Sequence, residues 1–168
     1  MVTGNTRRYS SSLEKIIKVV DPRQGEIMFG LNLIVNRGKT IFLCDTSVIE
    51  YPDAKQLAEM AKSAARVVRL FGFDPKIAFL SHSTFGEPAT DRTKRLSDAV
   101  EILKKDNVDF KFDGEMQPDV ALEEVYKELY PFSEIVGSSN VLIMPSQHSA
   151  AISYKMIKSM SRAKVIGP

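Results

Sequence analysis

Two short apolar runs, Ile77-Ala78-Phe79-Leu80 and Val141-Leu142-Ile143-Met144, constrain this chain more than any other feature. Neither alternates apolar with polar, so neither reads as a strand with one face in water. Continuous apolar strands separated by helical stretches imply a sheet covered on both faces. The helical stretches run from Asp91 to Lys105, Asp119 to Leu129 and Ser149 to Ser161. Phe110-Lys111-Phe112 is a strand between the first two, and Ala163 to Ile166 is a last strand. Upstream, Ser10-Ser11-Ser12 offer N-cap hydroxyls to a helix whose Leu13, Ile16, Ile17 and Val20 share a face until Asp21-Pro22 stops it. Glu26 to Val35 and Lys39 to Thr46 read as an antiparallel hairpin closed by Asn36-Arg37-Gly38. From Asp53 to Phe71 the Ala, Leu, Met and Val positions recur at helical intervals, and Gly72 with Pro75 beyond it ends that helix. A hairpin followed by β-α units predicts a three-layer α/β/α domain. Its sheet is mixed and mostly parallel, with binding loops at the carboxyl ends of the strands.

A chain of 168 residues, 43% of them hydrophobic, suffices for one domain with one sizeable core. Lys and Arg total 23 against 21 Asp and Glu, and the interleaved signs give no footprint for nucleic acid. The lone Cys44 forms no internal disulfide and reads as a small core residue in the run Ile41 to Cys44. With no stretch patterned as a signal peptide or a membrane span, the expected setting is cytoplasmic. Met1 to Thr6 reads as a turn entered from an earlier element, and Val165 to Pro168 stops just after a strand, so both ends read as cut.

Three loops follow strands and carry residues more specific than turns require. In Leu80-Ser81-His82-Ser83-Thr84-Phe85-Gly86, hydroxyls and a glycine precede a helix. Such a loop holds an anion or a pantetheine amide, or else its Ser and Thr satisfy backbone groups at a strand end; the residues alone leave both open. It is not a Walker loop, since no lysine follows the glycine. In Asp113-Gly114-Glu115-Met116-Gln117-Pro118-Asp119, three carboxylates suggest a metal, but a calcium loop needs a longer ladder of oxygens. Asp119 reads better as a helix N-cap and Gly114 as a turn residue, with Asp113 toward the cleft. In Pro145-Ser146-Gln147-His148-Ser149, the isolated His148 reads as structural, and the same holds for His82.

These loops, in this order, resemble the phosphate acetyl/butyryltransferase family, whose members read much like S-x-S-T, D-G-x-x-Q-x-D, and L-I-x-P followed by I-x-Y-K. Here the motifs stand as Ser81-His82-Ser83-Thr84, Asp113 to Asp119, and Leu142-Ile143-Met144-Pro145 with Ile152-Ser153-Tyr154-Lys155. The resemblance runs from Val2-Thr3-Gly4 to Ile166-Gly167-Pro168. Phe85-Gly86, Glu115-Met116, Tyr130-Pro131-Phe132-Ser133 and His148-Ser149-Ala150 are similar to one branch, the acyltransferase-like carboxyl-terminal domains of bacterial NADP-dependent malic enzymes.

The resemblance implies the second lobe of a two-lobed, isocitrate dehydrogenase-like architecture. It places ligand contacts at Thr3, Gly4, Ser81, Ser83, Thr84, Gly86, Asp113, Gly114 and Gln117, with no catalytic or metal-ligating residue among them. The implied ligand is acetyl-CoA or CoA; NADP and a divalent metal belong to a malic enzyme domain outside this chain. Family transferases carry a catalytic aspartate and a substrate-binding arginine in a tail after I-G-P. The sequence stops at Pro168, and the first lobe is missing too. The expectation is therefore a regulatory acetyl-CoA-binding module, inactive as a fragment, with a piece of a genuine phosphate acyltransferase as the alternative. Pairing as a two-fold homodimer is expected through the hairpin or the helix Asp53 to Phe71, with neither nucleic acid nor membrane as a partner.

Overall fold

The computed structural model describes residues 9–20 and 26–167. Helix α1 spans Tyr9–Ile17, and the hairpin strands are β1, Leu31–Asn36, and β2, Lys39–Cys44, joined by Arg37-Gly38. Helix α2 spans Ala54–Leu70, and its start is fixed by Asp53, whose side chain accepts from the Gln56 amide while the Gln56 side chain accepts from the Asp53 amide. Strand β3 (Lys76–Leu80), helix α3 (Asp91–Lys105) and strand β4 (Lys111–Met116) follow. The remainder is α4 (Pro118–Leu122), a 3-10 turn (Glu124–Lys127), β5 (Val141–Ile143), α5 (Gln147–Met160) and β6 (Lys164–Ile166).

The six strands form one sheet in the order β4-β3-β5-β2-β1-β6, in which only β1 runs against the others. Side-chain alternation divides the core in two. Phe42, Cys44, Ile77, Phe79, Val141 and Ile143 face α2 and α3, where Leu57, Met60, Ala61, Ala64, Leu96 and Leu103 meet them. Leu43, Ala78, Leu80 and Leu142 face the opposite layer of Val120, Ala121, Ile135, Val136 and Ala150 from α4, the segment after it, and α5. This is the three-layer arrangement expected of continuous apolar strands. Cys44 lies inside the first layer, where burial and then the neighbouring Asp45 charge push its thiol pKa well up.

Four local expectations are corrected. Strand β1 begins at Leu31 and not at Glu26. The expected helix Asp119 to Leu129 stops at Leu122, because Gly137 and Ser139 donate to the carbonyls of Val120 and Ala121, which a longer helix would need for its own ladder. Asp119 is not the N-cap: Gln117 holds that position, and Asp119 accepts from the Tyr126 hydroxyl at 2.9 Å. Gly114 sits within β4 and not in a turn, at φ +141 opposite Phe79. A Cβ there would stand 2.8 Å from the Phe79 carbonyl oxygen, so only glycine lets β4 approach β3 this closely.

Candidate functional site

Ladder pairing slips between Phe79 and Leu80, where Leu80 pairs with Met116 and Glu115 is passed over. The Glu115 carboxylate is thereby buried at the junction of β3, β4 and α3, only 1% exposed. Its Oε1 accepts from the Gly86 amide at 2.7 Å and from Ser83 Oγ at 3.1 Å, and its Oε2 accepts from Ser97 Oγ at 2.7 Å. A buried carboxylate is tolerated when such donors surround it. Here they tie the β3 loop, the end of β4 and α3 into one unit. A second buried carboxylate, Asp45, gathers the loop after β2 by accepting from the amides of Gly30, Ser47, Val48 and Ile49.

At the carboxyl ends of these strands a cleft of about 380 Å³ opens, where a mostly parallel sheet places its ligands. Leu80, Leu96, Met144 and Pro145 supply apolar wall, and Ser81, His82, Ser146 and Ser149 the polar part; Tyr51, Pro118, Arg92 and Arg95 complete it. Ser146 caps α5 by accepting from the Ser149 amide. Arg95 ties the cleft together. Its Nη1 donates to the Pro52 carbonyl at 2.6 Å, its Nη2 to the Pro145 carbonyl at 2.7 Å, and its guanidinium lies 3.7 Å from the Tyr51 ring centroid. Burial pushes the Arg95 pKa down, as does the nearby Arg92 charge, against the opposing pull of Tyr51 and Asp53. The guanidinium remains a cation across the physiological range.

The structure distributes the residues expected from sequence among four places. Ser81 lines the cleft. Ser83 is buried beneath it, with its hydroxyl 3.0 Å from Ser81 Oγ and 3.1 Å from Glu115 Oε1. Thr84 Oγ1 accepts from the exposed Gln117 amide, which joins the first and second loops. Gly86, Asp113 and Gly114 lie along a second hollow with Phe85, Lys104 and Phe132. Gly86 has open space around its Cα, but φ +94 makes any side chain there strained. Thr3 and Gly4 lie outside the described residues. Among the described residues, no group of three or more His, Cys, Asp or Glu side chains is placed to hold a metal, and no helix is long and apolar enough to cross a membrane.

Sequence reasoning missed Tyr51, Arg92 and Arg95. The signal available was the spacing of the two arginines, one turn apart in the first turns of the helix after the Ser81 loop. Nothing local marked Tyr51, which reaches the cleft from the loop before α2.

Comparison with known proteins adds the following. Residues 1–168 match the family described as phosphate acetyl/butaryl transferase. The chain is similar to the NADP-dependent malic enzyme of Rhizobium meliloti, 44% identical over 168 residues, which is 100% of this chain and 22% of that protein. It is also similar to the phosphate acetyltransferase of Bacillus subtilis, 29% identical over 170 residues, 100% of this chain and 53% of that protein. The crystal structure of a phosphotransacetylase from Streptococcus pyogenes superposes with a TM-score of 0.90 at 29% identity, covering 98% of this chain and 51% of that one. The chain thus spans about a fifth of the malic enzyme relative and about half of the transferases.

Proposed function

The chain belongs to the phosphate acetyl/butaryl transferase family, and from that premise we propose that it is the acetyl-CoA-binding regulatory lobe of a bacterial NADP-dependent malic enzyme. The observation that carries the reading is the composition of the cleft. Its lining combines two guanidiniums and serine hydroxyls with Leu80, Leu96 and Met144, a set suited to binding an amphipathic anion. Transfer of an acetyl group from acetyl phosphate to a thiol requires more, namely a base for the thiol and enclosure of both substrates. No carboxylate belongs to the cleft lining, so the transfer chemistry would draw on groups from outside it. The malic enzyme of Rhizobium meliloti matches the whole chain at 44% identity, whereas the phosphate acetyltransferase of Treponema pallidum matches 79% of it at 42%; the greater coverage at comparable identity supports the malic enzyme parent.

In this reading the chain is the second lobe of a two-lobed unit at the carboxyl terminus of the parent, working in the cytoplasm. A first lobe closes the cleft, where Ser81 meets the ligand; Ser83, Thr84 and Gln117 hold the loops beside it, and Gly86, Asp113 and Gly114 meet any part of the ligand that extends into the second hollow. Acetyl-CoA stabilises one state of the parent over another and so alters oxidative decarboxylation of malate in a separate domain, which holds NADP and a divalent metal. Two copies pair through this lobe. The Ala and Met positions of α2 are buried against their own sheet, whereas Ile152, Met156 and Met160 of α5 are exposed, so the pairing surface is placed on α5 in preference to α2.

The test uses two assays. Malate-dependent NADP reduction by the full-length protein is expected to change on adding acetyl-CoA, while the chain alone yields no thioester from acetyl phosphate and CoA. Thioester formation together with an acetyl-CoA-insensitive malate reaction would contradict the proposal and establish a piece of a genuine phosphate acyltransferase.

A further inference from the structure

We infer that Arg92 is the residue that receives a phosphoryl group in this cleft, with Arg95 as the fixed charge behind it. The inference rests on the acyl-CoA reading above and adds the recognition chemistry. The two arginines are divided by what their guanidiniums already do. Arg95 directs Nη1 and Nη2 to the carbonyls of Pro52 and Pro145 and sets its Cζ 3.7 Å from the Tyr51 ring centroid. Arg92, one helical turn earlier on the same wall, makes no hydrogen bond or ion pair with any described residue.

The pair also carries a charge that the described residues leave unmatched. Neither guanidinium forms an ion pair with a described carboxylate, and Arg92 acts on Arg95 as a like charge. Two neighbouring cations, Arg95 half-buried and Arg92 exposed at the mouth of the cleft, favour a ligand that brings more than one negative charge, which a phosphoryl group does and a single carboxylate does not. A phosphoryl group also has three free oxygens for donors set in different directions. Ser81 lines the same wall. The one Ser83 hydroxyl proton goes to Glu115 at 3.1 Å, so Ser81 turns its own proton either to Ser83 Oγ, 3.0 Å away, or to a bound ligand. Beside these groups lie Leu80, Leu96 and Met144, so the preferred ligand joins its phosphoryl group to a less polar arm. An acyl phosphate and the phosphates of CoA share this chemistry.

Calorimetric titration of acetyl phosphate, and separately of CoA, into the full-length protein and its R92Q variant tests the assignment. Because Arg92 is exposed and packs no core, the melting temperature should not move. Affinity for the ligand whose phosphoryl group sits here should fall roughly 10- to 100-fold in R92Q, with R92K intermediate. The wild-type affinity should decline with salt more steeply than that of R92Q. Loss for acetyl phosphate identifies an acyl phosphate as the source, and loss for CoA alone identifies the CoA phosphates. Unchanged affinity for both ligands overturns the subsite, even if acetyl-CoA still regulates the protein. Acetyl phosphate bound in an Arg92-dependent way without any binding of CoA or acetyl-CoA supports the subsite and overturns the acyl-CoA reading.

Discussion

Helices α2 and α5 lie on opposite faces of the sheet and differ in what covers them. Over 17 residues α2 buries Leu57, Ala58, Met60, Ala61, Ser63, Ala64, Ala65 and Val68. Over 14 residues α5 fully buries only Ala150, while Ile152, Met156 and Met160 remain 62%, 53% and 82% exposed. Small alanines let α2 approach the sheet closely, and the larger residues between them fill the space. The exposed apolar side chains Ile152, Met156 and Met160 of α5 have no such partner among the described residues. An amphipathic pattern therefore establishes that a helix has an apolar face, without specifying whether the same chain covers it.

Substitutions sharpen the contrast, beginning with the largest effect. Met60→Ala removes a fully buried side chain from between α2 and the sheet and is expected to cost about 2–5 kcal/mol in urea unfolding. A loss below 1 kcal/mol would mean that the α2 layer is looser than its burial indicates. Asp53→Ala removes the reciprocal cap at the start of α2 and is expected to cost about 1 kcal/mol. Met156→Ser on α5 should change stability far less than Met60→Ala, by about 0.5 kcal/mol, because its side chain is already 53% exposed. The same change is expected to weaken self-association in sedimentation. A stability loss as large as that of Met60→Ala would erase the distinction between the helices.

What was legible in the sequence divides along the same line between local and distant causes. The bounds of α3, Asp91 to Lys105, follow from the Thr90 cap, the apolar period and the basic last turn, all of them local. Cap and period likewise place α2, and the two-residue turn places the hairpin. The early end of α4 was not legible, since Gly137 and Ser139 intercept its carbonyls from well down the chain. Glu115 read as one of three acidic residues in a loop. Its burial depends on a pairing slip between β3 and β4 and on Ser83 and Ser97 of other elements. Ser81 and Ser83 looked equivalent in the sequence, and the fold gives one to the cleft and the other to Glu115. Arg95 became visible as a structural residue only when the loops carrying Pro52 and Pro145 came together around it.

Amide hydrogen exchange of the full-length protein with and without acetyl-CoA tests most directly where the ligand is bound. The account predicts slower exchange over 81–86, 115–117 and 146–149, the loops at the carboxyl ends of β3, β4 and β5, with little change along the already buried α2. Protection absent from all three loops, or confined to α2 and the β1-β2 hairpin, would contradict the claim that this cleft receives acetyl-CoA.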